Sequence, residues 1–369
     1  MVNSSLRILI ATHSPLAAEF GAGQVAINLA TALREQGHHV TLWSPHSLPS
    51  FTSPKRYIQR IQLVRYHLDE FIKTQEPFDV IDSFTVFITE QVAKSALVVA
   101  RSVQPEILYI PSKLNYSQKS SFKKILLLPF RYLLEIPYIF FLLQGWSRAN
   151  YILCLGSREL EWMKKWFPWW RSKLISYINA LSTTDQAELT KIRLHRQKHQ
   201  GKGIRFLWIG RWISHKGTSK LVDFIVKRAA SHPEDIFTIA GCGYDVSKHF
   251  PAELTESGKL NIISSFARSQ LYFLLANHDV GLFTSNVEGW GLVLNEMLES
   301  GMPVFATSAG AVPDLKPLFK DSLQSFPPTL ELTLDTIPLS EFKDEYYQIY
   351  SWQSVAKSYL QFIYANLCQ

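Results

Sequence analysis

Two pairs of charged residues in this 369-residue chain are spaced so that each pair can act on one ligand. Glu288 and Glu296, with seven residues between them, enclose Gly289, Trp290, Gly291 and Leu292. Arg211 and Lys216, five apart, follow an apolar run and precede Gly217. An arginine fork and a lysine point charge at one strand end can converge on a diphosphate. A glycine-bounded turn that opens a helix aims backbone N–H groups at the space above the strand, an anion site suited to phosphate. Glu288 lies in that turn and Glu296 about one helical turn inside the helix. Both carboxylates can therefore reach a single ligand, one at its hydroxyl-rich end and one further along.

Strands and a helix must hold these residues in place. Residues 280–285 (VGLFTS) and 303–308 (PVFATS) are apolar runs, residues 291–300 have helical character, and Gly301 is a helix stop. Together they read as a βαβ unit. The same alternation recurs along the chain. In the first half, strands are expected at 7–12, 38–43, 78–83, 96–101 and 151–155, with a loop at Gly21, Ala22 and Gly23 and a helix over 24–36. In the second half, strands at 205–210, 236–240, 261–264, 280–284 and 303–307 accompany a helix over 219–230 and a turn at Gly241-Cys242-Gly243. Two successive arrays indicate an α/β protein of two Rossmann-like, doubly wound domains. The expected boundaries are 1–182 and 201–335, with 183–200 as linker and a helical C-terminal segment, 340–369, completing the first domain. Residues 191–202 (KIRLHRQKHQGK) are polar and basic, as in an exposed linker or surface helix.

On these motifs the chain resembles the retaining GT-B glycosyltransferases of family 4, the glycosyl transferases group 1. Their signature is two glutamates separated by seven residues, and Gly210-Arg211 with Lys216-Gly217 resembles their GR…KG motif. Ser351-Trp352-Gln353 is similar to the start of the family's final helix, which crosses back onto the first domain. The resemblance implies two domains facing a central cleft and transfer of a hexosyl-type sugar from a nucleotide diphosphate sugar to a glycan or lipid-linked acceptor hydroxyl, with retention of configuration. Arg211 and Lys216 would neutralise the diphosphate as the sugar–phosphate bond breaks, an electrostatic contribution. The backbone amides of Gly291 and Leu292 would hold the distal phosphate. Glu288, Gly289 and Trp290 would face the sugar, Glu288 gripping hydroxyls and stabilising positive charge near C1, and Glu296 would accept hydrogen bonds from the ribose. Gly241 belongs to the turn that lets the nucleotide approach closely, and Gly21, Ala22 and Gly23 match the first-domain glycine loop over the phosphates. Front-face attack is implied, in which the leaving phosphate takes the acceptor proton. No cofactor is expected, and with no Asp-x-Asp in the sequence, Arg211 and Lys216 replace a divalent cation.

The sequence departs from the family on the acceptor side and at the hinge. The family's R-x-H-G context appears as Arg101-Ser102-Val103-Gln104-Pro105-Glu106, with no histidine at Val103, and the Asn-Gly before the second domain as Asn179-Ala180. His13, in the first βα loop, is a cleft candidate. These changes keep two alternatives open: a pseudoenzyme that binds a nucleotide sugar or glycan without transfer, and a sugar-nucleotide epimerase on the same fold. A dinucleotide-dependent oxidoreductase is disfavoured, because the loop at Gly21 does not complete GxGxxG. Base and sugar selectivity are expected from loops such as 264–268.

The composition, 47% hydrophobic and 19% charged, suits sizeable cores. Cys154, Cys242 and Cys368 have no short spacing, which argues against a disulfide framework or zinc site and for a reducing compartment. The N-terminus lacks the pattern of a secretory signal, so a cytoplasmic location is expected. The net charge of +7 is concentrated in residues 113–173, with eleven Lys and Arg against three Glu. That region also carries the apolar stretch 126–143, interrupted by two prolines and two charges, and Trp162, Trp166, Trp169 and Trp170. Tryptophan with lysine suits the headgroup layer of an anionic membrane, on whose cytoplasmic face the protein would sit peripherally. A spanning helix and a nucleic-acid partner are not expected.

Overall fold

The computed structural model describes residues 5–17, 20–47, 57–103, 106–114, 133, 135–197, 199–337, 342–343 and 345–367. These divide into two compact units, the first from Met1–Ile110, Lys119–Ala180 and Ile349–Gln369, the second from Pro111–Gln118 and Leu181–Gln348.

In the first unit, β1 (Arg7–Ala11), β2 (His39–Trp43), β3 (Val80–Phe84), β4 (Leu97–Arg101), β5 (Tyr151–Leu155) and β6 (Leu174–Tyr177) form one sheet in the order β2-β1-β3-β4-β5-β6. Every pairing is parallel. Helices cover both faces of such a sheet, so its strands read as continuous apolar runs, as in Ile8, Leu9 and Ile10, all buried. The helix Trp352–Leu367 belongs to this unit, and the Gln36 amide donates to the Gln353 carbonyl at 3.2 Å. The short edge strand β6 was not expected from the sequence, nor was the helix Tyr57–Thr74.

The second unit repeats the design with β7 (Arg205–Ile209), β8 (Ile236–Ala240), β9 (Leu260–Ile263), β10 (Val280–Phe283), β11 (Val304–Ala306) and β12 (Leu323–Ser325), in the order β12-β11-β10-β7-β8-β9 and again all parallel. The chain runs outward from β7 through β9, then returns to β10 and runs outward the other way. This reversal puts a crevice above the carboxyl ends of β7 and β10, where open α/β sheets bind ligands.

The stretch 183–200, expected as a linker, is built into this unit. Thr183–His195 is helical, capped by the Ser182 hydroxyl accepting from the Asp185 N–H at 3.1 Å. Arg193 donates to the Glu299 carbonyl at 2.5 Å, and Arg196 to the carbonyls of Leu275 (2.5 Å), His278 (2.8 Å) and Ser300 (3.0 Å). The basic character of this stretch thus serves carbonyls at and just beyond the C-terminal ends of two helices, Arg268–Ala276 and Leu292–Glu299.

Much of the apolar, basic stretch around 126–143 lies outside the described residues. Its described end is the helix Ile136–Arg148, which buries Tyr138, Leu142, Gly145 and Trp146. Among the described residues no helix is long and apolar enough to cross a membrane.

Candidate functional site

Arg211 and Lys216 leave the end of β7, and Glu288 the end of β10, so the sheet reversal brings together residues far apart in sequence. The loop after β7 is held down by Thr284, whose hydroxyl accepts from the Trp208 indole at 3.0 Å and donates to the Lys216 carbonyl at 2.7 Å. Gly217 makes this fit possible. Its φ is +68°, and a Cβ there would lie 1.8 Å from the Thr284 carbonyl oxygen. The Asn286 N–H donates to the His215 carbonyl at 2.7 Å and closes the two loops on each other.

The Lys216 ammonium then meets the Glu288 carboxylate at 2.5 Å, and the Ser285 hydroxyl donates to the same oxygen at 3.1 Å. Burial alone would raise the Glu288 carboxyl. Lys216 outweighs it, helped by Ser285 and His215, and holds the group below its ordinary value, so it stays ionised. Burial pushes the His215 imidazole down to about 4; Glu288 opposes this, and Lys216 and Arg211 reinforce it. His215 is therefore neutral near pH 7. Arg211 is exposed, and no carboxylate among the described residues pairs with it.

The turn Gly289-Trp290-Gly291 feeds the helix Leu292–Glu299. Gly291 has φ +86° and packs so closely on Phe283 that a Cβ would lie 2.7 Å from its ring. The first N–H groups of the helix, at Leu292 and Val293, have no partner within it and point out of its N-terminal end. One expectation needs correction. Trp290 was expected to face the sugar, but its side chain is 2% exposed and donates to Asn295 Oδ1 at 2.8 Å. Asn295 in turn donates to the Tyr346 hydroxyl (2.6 Å), which donates to Glu299 (2.8 Å). The Trp290 carbonyl is also taken, by the Ala311 N–H at 2.9 Å. Trp290 anchors the turn from below, because a large indole gains more from burial beside a polar partner than from exposure.

Glu296 is 2% exposed and receives Arg268 at 2.5 Å. Arg268 also lies 2.8 Å from Asp185, which accepts from the hydroxyls of Tyr272 and Ser182, each at 2.6 Å. Burial raises the Glu296 carboxyl, Arg268 pulls against it without fully cancelling it, and Asp185 adds to the rise. Sequence reading found Glu296 but missed Asp185, Arg268 and Tyr272. Arg268 was noticed only as the end of a selectivity loop, since nothing in the sequence ties it to residue 296. Gly241 follows β8 with φ +71°, 3.1 Å from the Phe266 ring if it carried a Cβ.

Gly21, Ala22 and Gly23 belong to the first unit. They are not a loop but the first residues of the helix Gly21–Glu35, which starts earlier than expected. A Cβ on Gly23 would meet the Pro15 carbonyl at 2.0 Å, so glycine is required where the helix passes under its own entry loop. In the same unit His13 packs against Phe84, with ring centroids 4.3 Å apart and the planes tilted by 32°, and burial, with a smaller contribution from His46, pushes it down to about 4. Arg101 is buried and grips Asp82 with two nitrogens, one at 2.8 Å, with its guanidinium 4.7 Å from the Tyr177 ring. Ser102 donates to Glu159 at 2.6 Å.

Comparison with known proteins adds an independent line. Residues 191–316 match the family model of the glycosyl transferases group 1. Over that span the chain is similar to the group 1 glycosyltransferases. The site residues from Arg211 to Glu296 lie inside this matched span, whereas Ser182, Asp185 and Tyr346 lie outside it. The chain is 25% identical over 200 residues to the phosphatidylinositol N-acetylglucosaminyltransferase GPI3 subunit of Saccharomyces cerevisiae, a match covering 50% of this chain and 42% of that protein. Thus it spans less than half the length of that curated relative. Among solved structures it is similar to sucrose-phosphate synthase from Thermosynechococcus elongatus (TM-score 0.67, 14% identity, 98% and 99% of the two chains covered). It is also similar to Anabaena HepE in complex with UDP and glucose (TM-score 0.60, 15% identity, 98% and 100% covered). These likenesses show the fold: the chain has the GT-B architecture of two Rossmann-like units.

Proposed function

We propose that the protein transfers a hexosyl-type sugar from a nucleotide diphosphate sugar to an acceptor hydroxyl, with retention of configuration and without a metal ion. The observation that carries this reading is the convergence of Lys216 and Glu288 beside an exposed Arg211, at the reversal point of the second sheet. Arg211 and Lys216 supply two positive charges for a departing diphosphate, the task a divalent cation would otherwise perform. The amides at Gly291 and Leu292 supply donors for the distal phosphate. Glu288, held ionised, accepts from sugar hydroxyls and stabilises positive charge at C1. Glu296, oriented by Arg268, accepts from the ribose. Gly289 and Gly241 keep the second unit's turns open, and Trp290 acts only as an anchor.

For the acceptor, the name of the yeast relative, a phosphatidylinositol N-acetylglucosaminyltransferase subunit, supports a lipid-linked glycan acceptor over a free sugar. A cytoplasmic location, where nucleotide sugars are made available, accords with this chemistry. The test is thermal stabilisation by UDP, GDP, ADP and TDP, followed by transfer assays with the corresponding sugars. Binding to the folded state raises the midpoint by mass action. A shift with one nucleotide that disappears in Arg211→Ala supports the donor site, and absence of any shift overturns it. Binding without turnover on any acceptor would favour the pseudoenzyme, and a changed sugar without acceptor the epimerase.

A further inference from the structure

We propose that the first unit carries a docking surface for the headgroup layer of an anionic lipid bilayer, centred on Trp166, Trp169, Lys165 and Arg171. It stands independently of the donor-site reading, which uses none of these residues.

The helix Gly156–Trp166 buries Gly156, Glu159 and Met163 and ends in Lys164, Lys165 and Trp166. The turn Pro168–Lys173 that follows has no buried residue. Trp166 is 58% and Trp169 66% exposed, a large apolar area to leave in water. Trp169 is not a loose side chain. It packs at 5.8 Å on Trp170 and 5.6 Å on Phe167, and both of these rest on buried Trp146, at 5.7 and 5.2 Å. An aromatic platform therefore holds the Trp169 indole outward. The charges beside it are positive. Lys164 is paired with Glu161, and Lys173 donates to the carbonyls of Ser147 and Ala149. Lys165 and Arg171 are exposed and pair with no carboxylate among the described residues, and Lys165 lies 5.8 Å from the Trp166 ring.

Indole rings and cations side by side match the chemistry of a bilayer interface, where the ring sits among headgroups and the cation meets anionic phosphate. Single-stranded nucleic acid fits less well. Base stacking needs open ring faces, whereas Phe167 and Trp170 are stacked on each other at 18° and Trp169 stands at 82° and 64° to them.

The experiment is co-sedimentation of the full chain with vesicles of phosphatidylcholine alone and of phosphatidylcholine with phosphatidylglycerol, at low and high salt. Binding is expected to the anionic vesicles only and to fall at high salt. Lys165→Gln and Arg171→Gln should each weaken it by about fivefold, and Trp166→Ser with Trp169→Ser by about tenfold or more. The variants are compared at equal thermal midpoint, since all four positions are exposed. No binding to anionic vesicles, or binding that the variants leave unchanged, overturns the proposal. Concentration-dependent self-association lost in the double tryptophan variant, without vesicle binding, assigns the surface to a second copy and equally overturns it.

Discussion

The Lys216 ammonium lies 2.5 Å from the Glu288 carboxylate although 72 residues separate them in the chain. Both side chains are mostly buried, so each neutralises a charge the other would leave stranded. Removing one partner costs more than the pair contributes. Lys216→Ala is expected to lower stability by about 3 kcal/mol, and the double variant Lys216→Met, Glu288→Gln to recover much of it. Chemical denaturation of the three variants checks this. If the double variant is no more stable than Lys216→Ala, the coupling is wrong. In transfer assays Glu288→Gln should lower turnover by about 100-fold.

Arg211 behaves differently because it is exposed and has no carboxylate partner among the described residues. Arg211→Ala should leave the thermal midpoint of the ligand-free protein within about 2 °C and weaken nucleoside diphosphate binding by about 30-fold. Isothermal titration of wild type and variant separates these effects. A loss of ligand-free stability would mean that Arg211 is structural.

Arg268 pairs with both Glu296 and Asp185 and offsets the repulsion between the two carboxylates. Arg268→Met leaves two buried carboxylates facing each other without a cation. A destabilisation of about 3 kcal/mol is expected, together with a raised KM for donor. Glu296→Gln should raise the donor KM with a smaller stability loss. Equal effects of both changes on stability alone would remove Glu296 from donor binding.

Gly291→Ala places a methyl group 2.7 Å from the Phe283 ring at a residue with φ +86°. The turn must shift, which is expected to cost about 2 kcal/mol and to move the amides at the helix start. Thermal denaturation with and without nucleotide reads both consequences. Gly243→Ala, at φ +90° but with nothing within 4 Å, is the control: it carries backbone strain without the collision.

Burial pushes the Glu299 carboxyl up to about 8; Tyr346, Tyr347 and Arg193 pull it down, and Glu296 adds to the rise. The folded state therefore holds a proton there that the unfolded chain releases near its ordinary value of 4.5. Where the unfolded state binds fewer protons, stability falls as pH rises. The contribution is complete below about 4.5, declines through neutral pH and is exhausted above about 8. Glu299→Gln should flatten this slope and, at pH 8, raise the midpoint by about 3 °C relative to wild type. Thermal scans from pH 5 to 9 test it, and an unchanged slope removes Glu299 as its origin.

The sequence alone determined the two alternating arrays, because buried parallel strands must be apolar on both faces and so announce themselves as runs such as 8–10 and 280–283. It also located Arg211, Lys216, Glu288 and Glu296, whose glycine-bounded turns are local features. The short edge strands β6 and β12 escaped notice because a strand of three or four residues at a sheet edge needs little apolar character. The arginines of 191–202 looked like solvated charge because sequence cannot show which distant carbonyls a guanidinium will reach. The burial of the Trp290 indole escaped the sequence for a similar reason: its partner Asn295, and Tyr346 beyond it, are arranged only after the chain has folded. Tertiary structure decided which charges pair, since Lys216 with Glu288 and Arg268 with Glu296 and Asp185 are juxtaposed by parallel sheet topology and by a helix before β7. Neither pairing is encoded in local spacing.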